Sequence, residues 1–247
     1  MDTPYATIAL DTVDSTQDEA RARLGDHPGG VLVTAAAQTR GRGRRGHGWI
    51  NAPRGVAASL AFRPEWPTAA WPRMTLVAGL AAVTAVSEVA GTTVSLKWPN
   101  DILDASGGAK LGGILAESSG TVAVAGLGLN LYWPDPPAGI GGMLGTDPGP
   151  ELAGEIAARW ADRLIPRVTG DPEAWGADEY RRWCVTLGSE ITWEPGGAGR
   201  AVDIDEGGRL VVETTAGVVR LVAGEVRQVR PATVALGNRA AHGGDET

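Results

Sequence analysis

Residues 97–115, KWPNDILDASGGAKLGGIL, form a run of short strands and tight turns that indicates how the chain is built. One strand ends near Trp98, a second covers Ile102–Asp104, and a third begins at Lys110. Proline keeps the residue before it extended, and Asn-Asp and Gly-Gly pairs favour turns. A further strand pattern follows at Val122–Leu131. We therefore predict an extensive β-sheet.

The flanking sequence adds strands and helices in partly separate blocks. Strand patterns cover Tyr5–Leu10, Val31–Ala37 and Val56–Arg63, and Thr16–Glu19 is interpreted as a capping box that starts a short helix. Helical patterns cover roughly residues 68–90, 151–165 and 172–187. This arrangement predicts an α+β class with a mixed β-sheet and flanking helices.

The pattern changes after Leu187 to four short alternating segments separated by glycines. Such a pattern predicts a small all-β barrel. We expect a large domain over residues 1–187, a barrel over residues 188–231, and a disordered tail over residues 232–247.

Composition narrows the classes of function. The 22 basic and 29 acidic residues give a net charge of −7, which disfavours a nucleic-acid partner bound through a broad basic face. A single cysteine, Cys184, excludes an intramolecular disulfide and predicts a cytoplasmic location. The longest apolar run, Leu76–Val86, is shorter than the roughly 20 residues needed to cross a bilayer, so no membrane role is expected.

Residues 41–46, GRGRRG, match the pattern G-x-G-x-x-G, but no helix pattern follows them, as a dinucleotide fingerprint requires. Four arginines lie within residues 40–45. Guanidinium groups bind phosphate or carboxylate, and Trp49 offers a flat face for a base. The loop predicts a site for a compact anion, ordered by its ligand. A merely solvated loop, or one that contacts RNA, is the alternative.

Only Lys97 and Lys110 are lysines among the 22 basic residues, and both lie in turn motifs. Lys97 shares its turn with Asn100 and Asp101, which could serve a ligand or simply form the turn. Glycines interrupt the apolar strands at Lys110–Glu117 and Gly126–Asn130. They indicate close approach of a ligand or another backbone, although ordinary bulges are possible.

Five motifs in this order closely resemble the biotin protein ligases over about residues 5–131. They are DST at residues 14–16, Gln38 before the arginine loop, KWPND at 97–101, KLGGIL at 110–115 and GLGLN at 126–130. Segments at 180–188 and 224–226 are also similar to that family. The resemblance implies a catalytic domain related in fold to class II aminoacyl-tRNA synthetases, followed by an SH3-like barrel.

The resemblance also implies a two-step reaction. Biotin and ATP would form biotinyl-5′-AMP, and a lysine of a biotin carboxyl carrier domain would then accept the biotinyl group. Mg²⁺ would be held mainly by the ATP phosphates, with no certain protein ligand. The few residues before Tyr5 leave no room for a DNA-binding domain, so a repressor role is not expected.

Site residues are carried over from the matching motifs. Biotin would be bound by Ser15, Thr16, Gln38, Gly41, Arg42, Arg44, Lys110, Gly113, Gly126 and Gly128. The nucleotide would be bound by Arg44, His47, Trp49, Asn100, Lys110 and Asn130. Joining a carboxylate to a phosphate requires charge neutralisation, so the expected catalytic residues are Lys110, Arg44, Lys97 and Asp101, the last orienting or deprotonating the acceptor amine.

Two residues depart from the family pattern: Gln17 stands where Asn is usual, and His47 where Arg is usual. The second change could weaken phosphate contacts. Two other functions remain open at this point. One is a lipoate or octanoate protein ligase or transferase of the same fold group; the other is a non-catalytic nucleotide or RNA-binding module.

Overall fold

A computed structural model of the chain describes residues 4–27, 29–223 and 229–231. Within them, the chain forms two β-sheets and four α-helices. Residues 224–226, which contributed to the resemblance, and residues 232–247, the expected tail, lie outside the described part.

The first sheet has seven strands in the spatial order β1-β2-β3-β7-β6-β5-β4. β1 and β2 pair in parallel and every other neighbouring pair is antiparallel, so the sheet is mixed as predicted. Its strands are β1 (Ala6–Val13), β2 (Val31–Gln38), β3 (Arg54–Phe62), β4 (Val94–Lys97), β5 (Asp101–Asp104), β6 (Lys110–Ser119) and β7 (Val122–Tyr132).

Four α-helices surround this sheet: α1 (Thr16–Arg23), α2 (Met74–Ala90), α3 (Glu151–Val168) and α4 (Ala177–Trp183). α2 packs against β4, β6 and β7, and α3 packs against α2. Residues 68–90 are long and apolar enough to cross a membrane by length and composition, but 67% of the most apolar window is buried inside the molecule. That burial is typical of a core helix.

The second sheet is antiparallel, with the order β11-β10-β9-β8-β12. Its strands are β8 (Glu190–Trp193), β9 (Gly197–Ile204), β10 (Leu210–Thr214), β11 (Gly217–Leu221) and β12 (Val229–Pro231). In the described residues the edge strands β11 and β12 do not pair with each other. The predicted closed barrel is therefore not confirmed.

Two local predictions were wrong. Ser15, not Thr16, precedes the first turn of α1, and no side chain caps the helix, because the Thr16 hydroxyl bonds Gln38 and Ser59 instead. The helix expected over residues 172–187 is a 3₁₀ turn followed by the short α4. Gly176 separates them at φ 101°, and Cys184 is extended because it bridges Leu96.

Candidate active site

A cleft of about 650 Å³ lies on one face of the first sheet. The start of α1, the arginine loop after β2, the turn between β4 and β5, and strands β6 and β7 all contribute to it. The structure thus brings together most of the residues proposed from sequence. Those lining the cleft are Ser15, Thr16, Gln38, Arg42, Arg44, His47, Trp49, Lys97, Asn100, Asp101, Lys110, Gly113, Gly126 and Gly128.

One end of the cleft is built from uncharged hydrogen-bonding side chains, which we call the polar end: Ser15, Thr16, Gln17, Gln38 and Ser59. Gln38 Oε1 accepts from the backbone N–H of Thr16 at 2.9 Å and from its hydroxyl at 3.1 Å. The hydroxyls of Thr16 and Ser59 are 2.8 Å apart. This network ties the start of α1 to β2 and β3.

Two buried oxygen atoms at the polar end have no hydrogen-bond partner: Ser15 Oγ and Gln17 Oε1. The two residues are only 2% and 4% exposed. A buried polar atom without a partner costs free energy, so such atoms often mark a binding site. Here they provide hydrogen-bonding capacity suited to a neutral polar ligand group.

The opposite end, which we call the cationic end, is arranged around Asp101. Lys110 Nζ lies 2.5 Å from Asp101 Oδ1, and Lys97 Nζ lies 3.9 Å from Asp101 Oδ2. The three side chains are 37%, 26% and 22% exposed for Lys110, Lys97 and Asp101. One carboxylate thus faces two ammonium groups, which leaves excess positive charge for an anionic ligand.

Arg44 joins the cationic end from the arginine loop. Its Nη1 donates to Asn100 Oδ1 at 3.2 Å, and its Nη2 donates to the carbonyl of Ala223. Burial lowers the pKa of Arg44, the adjacent charge of Arg45 lowers it further, and the charge of Asp101 opposes both effects. A partly desolvated guanidinium in this place is well suited to a phosphate or carboxylate.

Two further arginines of the loop, Arg40 and Arg42, have acidic partners. Arg40 pairs with Asp14, and Arg42 Nη2 lies 2.7 Å from Asp18 and 3.4 Å from Glu117. The sequence shows four neighbouring cations, but these carboxylates are 24 to 75 residues away and gave no local signal. Ordering of the loop by a ligand stays a prediction.

Close backbone approach explains two of the glycines. A Cβ at Gly128 would lie 2.8 Å from the Trp49 ring, and one at Gly41 would lie 3.1 Å from Trp49 Cβ. The Trp49 indole therefore packs against β7 only because Gly128 has no side chain. Gly41 is not part of the cleft lining but positions Trp49, whose backbone N–H donates to the Gly41 carbonyl at 2.8 Å.

Asn130 also lies outside the cleft lining and is only 3% exposed. Its Nδ2 donates to the carbonyl of Gly141 at 3.2 Å, while its Oδ1 has no partner. The N–H of Gly141 in turn donates to the Lys110 carbonyl at 2.9 Å. Asn130 is therefore linked to the Lys110 backbone through Gly141, and its role in nucleotide binding stays a prediction.

Comparison with known proteins identifies the family. Residues 9–131 match the model of the biotin/lipoate A/B protein ligase family. A biotin--[acetyl-CoA-carboxylase] ligase of Mycobacterium tuberculosis is 34% identical over 226 residues, which cover 85% of this chain and 84% of that protein. The chain belongs to the biotin/lipoate A/B protein ligase family.

Two other ligases support this placement over most of the chain. A biotin--[acetyl-CoA-carboxylase] ligase of Paracoccus denitrificans is 34% identical over 88% of this chain and 98% of its own. The biotin protein ligase of Aquifex aeolicus, solved with biotin and ATP, superimposes with a TM-score of 0.76 at 25% identity. That match covers 92% of this chain and 99% of the other.

Some residues that line the cleft were not proposed as site residues from the sequence. Gln17 had been noted only as a departure, and Ser59, fully buried, sits in an otherwise apolar strand whose alternation gave no distinct signal. Glu194 reaches the cleft from the end of β8 in the second sheet. Only tertiary contact brings it there, so sequence reasoning had no means to find it.

Proposed function

We propose that the chain is an ATP-dependent biotin ligase that forms biotinyl-5′-AMP and passes the biotinyl group to a lysine of a carrier domain. The observation that carries this proposal is the division of the cleft. A buried uncharged end with two unpartnered oxygen atoms suits a neutral ureido ring, and a cationic end suits a carboxylate beside phosphates. The similar Aquifex aeolicus protein was solved with biotin and ATP. The similar Mycobacterium tuberculosis protein is named a biotin--[acetyl-CoA-carboxylase] ligase.

In the first step, a biotin carboxylate oxygen attacks the α-phosphorus of ATP. A new P–O bond forms, the bond to the β-phosphate oxygen breaks, and pyrophosphate leaves. Lys110 and Arg44 offset the repulsion between the two anions and hold them in line. Lys110 would exchange its contact with Asp101 for one with the reacting oxygens.

In the second step, a neutral lysine amine attacks the carbonyl carbon of the mixed anhydride. An amide bond forms, the bond to the AMP oxygen breaks, and the nitrogen loses a proton. Asp101, released from Lys110 by the phosphate, is placed to orient the amine or to accept that proton.

Mg²⁺ would be held mainly by the ATP phosphates, where it supplies neutralising charge. Among the described residues there is no group of three or more His, Cys, Asp or Glu side chains that could hold a metal ion. Asp101 is the carboxylate of the cationic end and would be available to a metal carried by the nucleotide.

Several finer assignments belong to the same proposal. The acceptor would be the biotin carboxyl carrier domain of a biotin-dependent carboxylase, consistent with the names of the similar ligases. The catalytic unit would span residues 1–187 with a class II synthetase-like architecture, and the second sheet, residues 188–231, would be part of an SH3-like barrel. A cytoplasmic location is supported by the single cysteine, Cys184, which is buried.

The alternatives receive less support. A lipoyl or octanoyl tail offers no group to satisfy Ser15 Oγ and Gln17 Oε1. For an RNA-binding loop, arginines should be free to meet phosphates, whereas Arg40 and Arg42 are paired with carboxylates.

The proposal is tested by ATP–pyrophosphate exchange with the full chain, followed by streptavidin detection of a carrier domain incubated with ATP and biotin. Biotin should support exchange, and lipoate and octanoate should not. Exchange supported by either of those acids but not by biotin would overturn the assignment.

A further inference from the structure

One turn of the second sheet receives hydrogen bonds from four side chains of the larger, cleft-bearing part of the chain. We call residues 204–208, which run from the last residue of β9 toward β10, the junction turn. Its carbonyl oxygens accept from two tryptophan indoles and two arginines. The bonds are Trp98 Nε1 to Gly208 at 3.1 Å, Trp175 Nε1 to Glu206 at 2.7 Å, Arg73 Nη1 to Glu206 at 3.3 Å and Arg181 Nε to Ile204 at 2.9 Å.

The junction turn is itself fixed from within. The N–H of Gly208 donates to the carbonyl of Asp205 at 2.8 Å, and Asp205 Oδ1 accepts from the N–H of Arg209 at 3.0 Å. Gly208 adopts φ +78°, and a Cβ there would lie 2.8 Å from Leu76 Cδ1. The turn therefore has little room to adopt another position.

Trp98 differs from the other three donors because it lies within the KWPND motif, next to Lys97. It is 1% exposed, and its backbone N–H donates to Thr186 Oγ1 at 3.0 Å. Two residues before Trp98, the carbonyl of Leu96 accepts from the N–H of Val185 at 2.9 Å. Residues 96–98, at the end of β4, are thus held in two ways. Their backbone bonds residues 185–186, and the Trp98 indole bonds the junction turn.

Asp101, three residues after Trp98, is the carboxylate that faces both lysines of the cationic end. We infer that the junction turn positions the cationic end through Trp98, which acts as a positioning residue for Lys97, Asp101 and, through Asp101, Lys110. This inference rests on the proposed function, because it assigns the second sheet a part in adenylation.

The physical reason is the sensitivity of in-line transfer to geometry. Displacement of catalytic groups by about 1 Å can reduce a rate by two orders of magnitude. Asn100 and Asp101 are also paired with Ile114 and Gly113 of β6. Loss of the indole bond would therefore release mainly residues 97–99, which carry Lys97 and lead into Asp101. The Thr16, Gln38 and Ser59 side chains of the polar end bond one another on α1, β2 and β3, so we expect this end of the cleft to keep its geometry.

The test compares two matched variants, Trp98→Phe and Trp175→Phe. Both indoles are buried and both donate to the junction turn, so the losses in Tm should be similar, about 2–4 °C each. Single-turnover formation of biotinyl-5′-AMP at saturating substrates should fall about tenfold in Trp98→Phe. It should change less than about twofold in Trp175→Phe, and the Kd for biotin should be unchanged in both.

Trp98 also lines the cleft, so its substitution can alter a ligand contact directly. A second variant therefore changes the junction turn of the second sheet instead. Gly208→Ala changes no residue of the cleft lining, and its Cβ would lie 2.8 Å from Leu76 Cδ1 at a φ of +78°. We expect this strain to displace the carbonyl that accepts from Trp98. It should lower the same single-turnover rate with an unchanged Kd for biotin. Equal rates in Trp98→Phe and Trp175→Phe, or a normal rate in folded Gly208→Ala, would overturn the inference.

The proposed function is judged separately on the unmutated chain. Biotin-dependent pyrophosphate exchange by that chain, combined with equal rates in the two tryptophan variants, removes only the positioning role. Absence of such exchange from the unmutated chain removes the proposed function, and the role assigned to the junction turn with it.

Discussion

The polar end and the cationic end of the cleft differ in how far their side chains are exposed to water. At the polar end, Ser15, Thr16 and Ser59 are at most 3% exposed, whereas the side chains of the Lys97, Asp101 and Lys110 cluster are 22–37% exposed. Burying a hydroxyl or an amide costs a few kcal/mol at most, but burying an ion costs much more. An enclosed, uncharged end therefore suits a neutral group, whereas ionic groups are better accommodated where water and opposite charges are close.

The largest effect should come from removing the main cation. Lys110→Ala removes the ammonium nearest to Asp101 among the described ion pairs and leaves Lys97, 3.9 Å away. It would also take a charge from the junction of carboxylate and phosphate. We expect biotin-dependent pyrophosphate exchange to fall by about 10³-fold. Biotin binding by calorimetry should change far less.

Lys97→Ala compares the second lysine of the cationic end with Lys110. Because Lys97 is farther from Asp101 than Lys110 is, its loss should reduce exchange by about tenfold only. Near-normal exchange in Lys110→Ala would show that the cationic end does not perform the chemistry.

At the polar end, Thr16→Val should affect binding without affecting chemistry. The substitution keeps the shape of the side chain but removes its bonds to Gln38 and Ser59. We expect the Kd for biotin to rise about tenfold, with the single-turnover rate unchanged at saturating biotin. Thr84→Val, on α2 and away from the cleft lining, is the control. A lower single-turnover rate without a change in the Kd for biotin would contradict the assignment of binding to the polar end and chemistry to the cationic end.

A third test concerns the aromatic wall between the two ends. In Gly128→Ala the new methyl group would meet the Trp49 ring at 2.8 Å, so the indole must move away from β7. We expect the KM for ATP to rise about fivefold, the loss of one stacking contact. Gly145→Ala, where a Cβ meets nothing within 4 Å, should leave it unchanged. An unaltered KM would mean that Trp49 does not contact the nucleotide.

The smallest effect is expected at the exposed rim. His47→Arg adds a permanent cation to the cleft lining, but exposed charges contribute little. The KM for ATP should fall by about twofold, and His27→Arg, outside the cleft lining, should have no effect. A lower Kd for biotin with an unchanged KM for ATP would contradict the assignment of His47 to the nucleotide.

Much of the fold could be predicted because strands and turns leave local signals. Proline at 99 and the glycine-rich turn before Lys110 marked the β4–β5–β6 succession, which the structure confirms within a few residues. The Thr16 capping box failed because a hydroxyl that is free in an isolated helix finds Gln38 and Ser59 in the folded chain. The same limit applies to the arginine loop, whose carboxylate partners are distant in sequence.

The sequence by itself determined the α+β class, the motifs and the kind of chemistry they can support, since these depend on residue type and near-neighbour spacing. Only the tertiary structure decided which atoms meet: the Ser59 hydroxyl at the polar end, Glu194 at the rim, and the junction turn beneath Trp98. Trp98 and Gly208 are 110 residues apart in the chain. A hydrogen bond across that separation depends on the docking of two sheets, which no local pattern encodes.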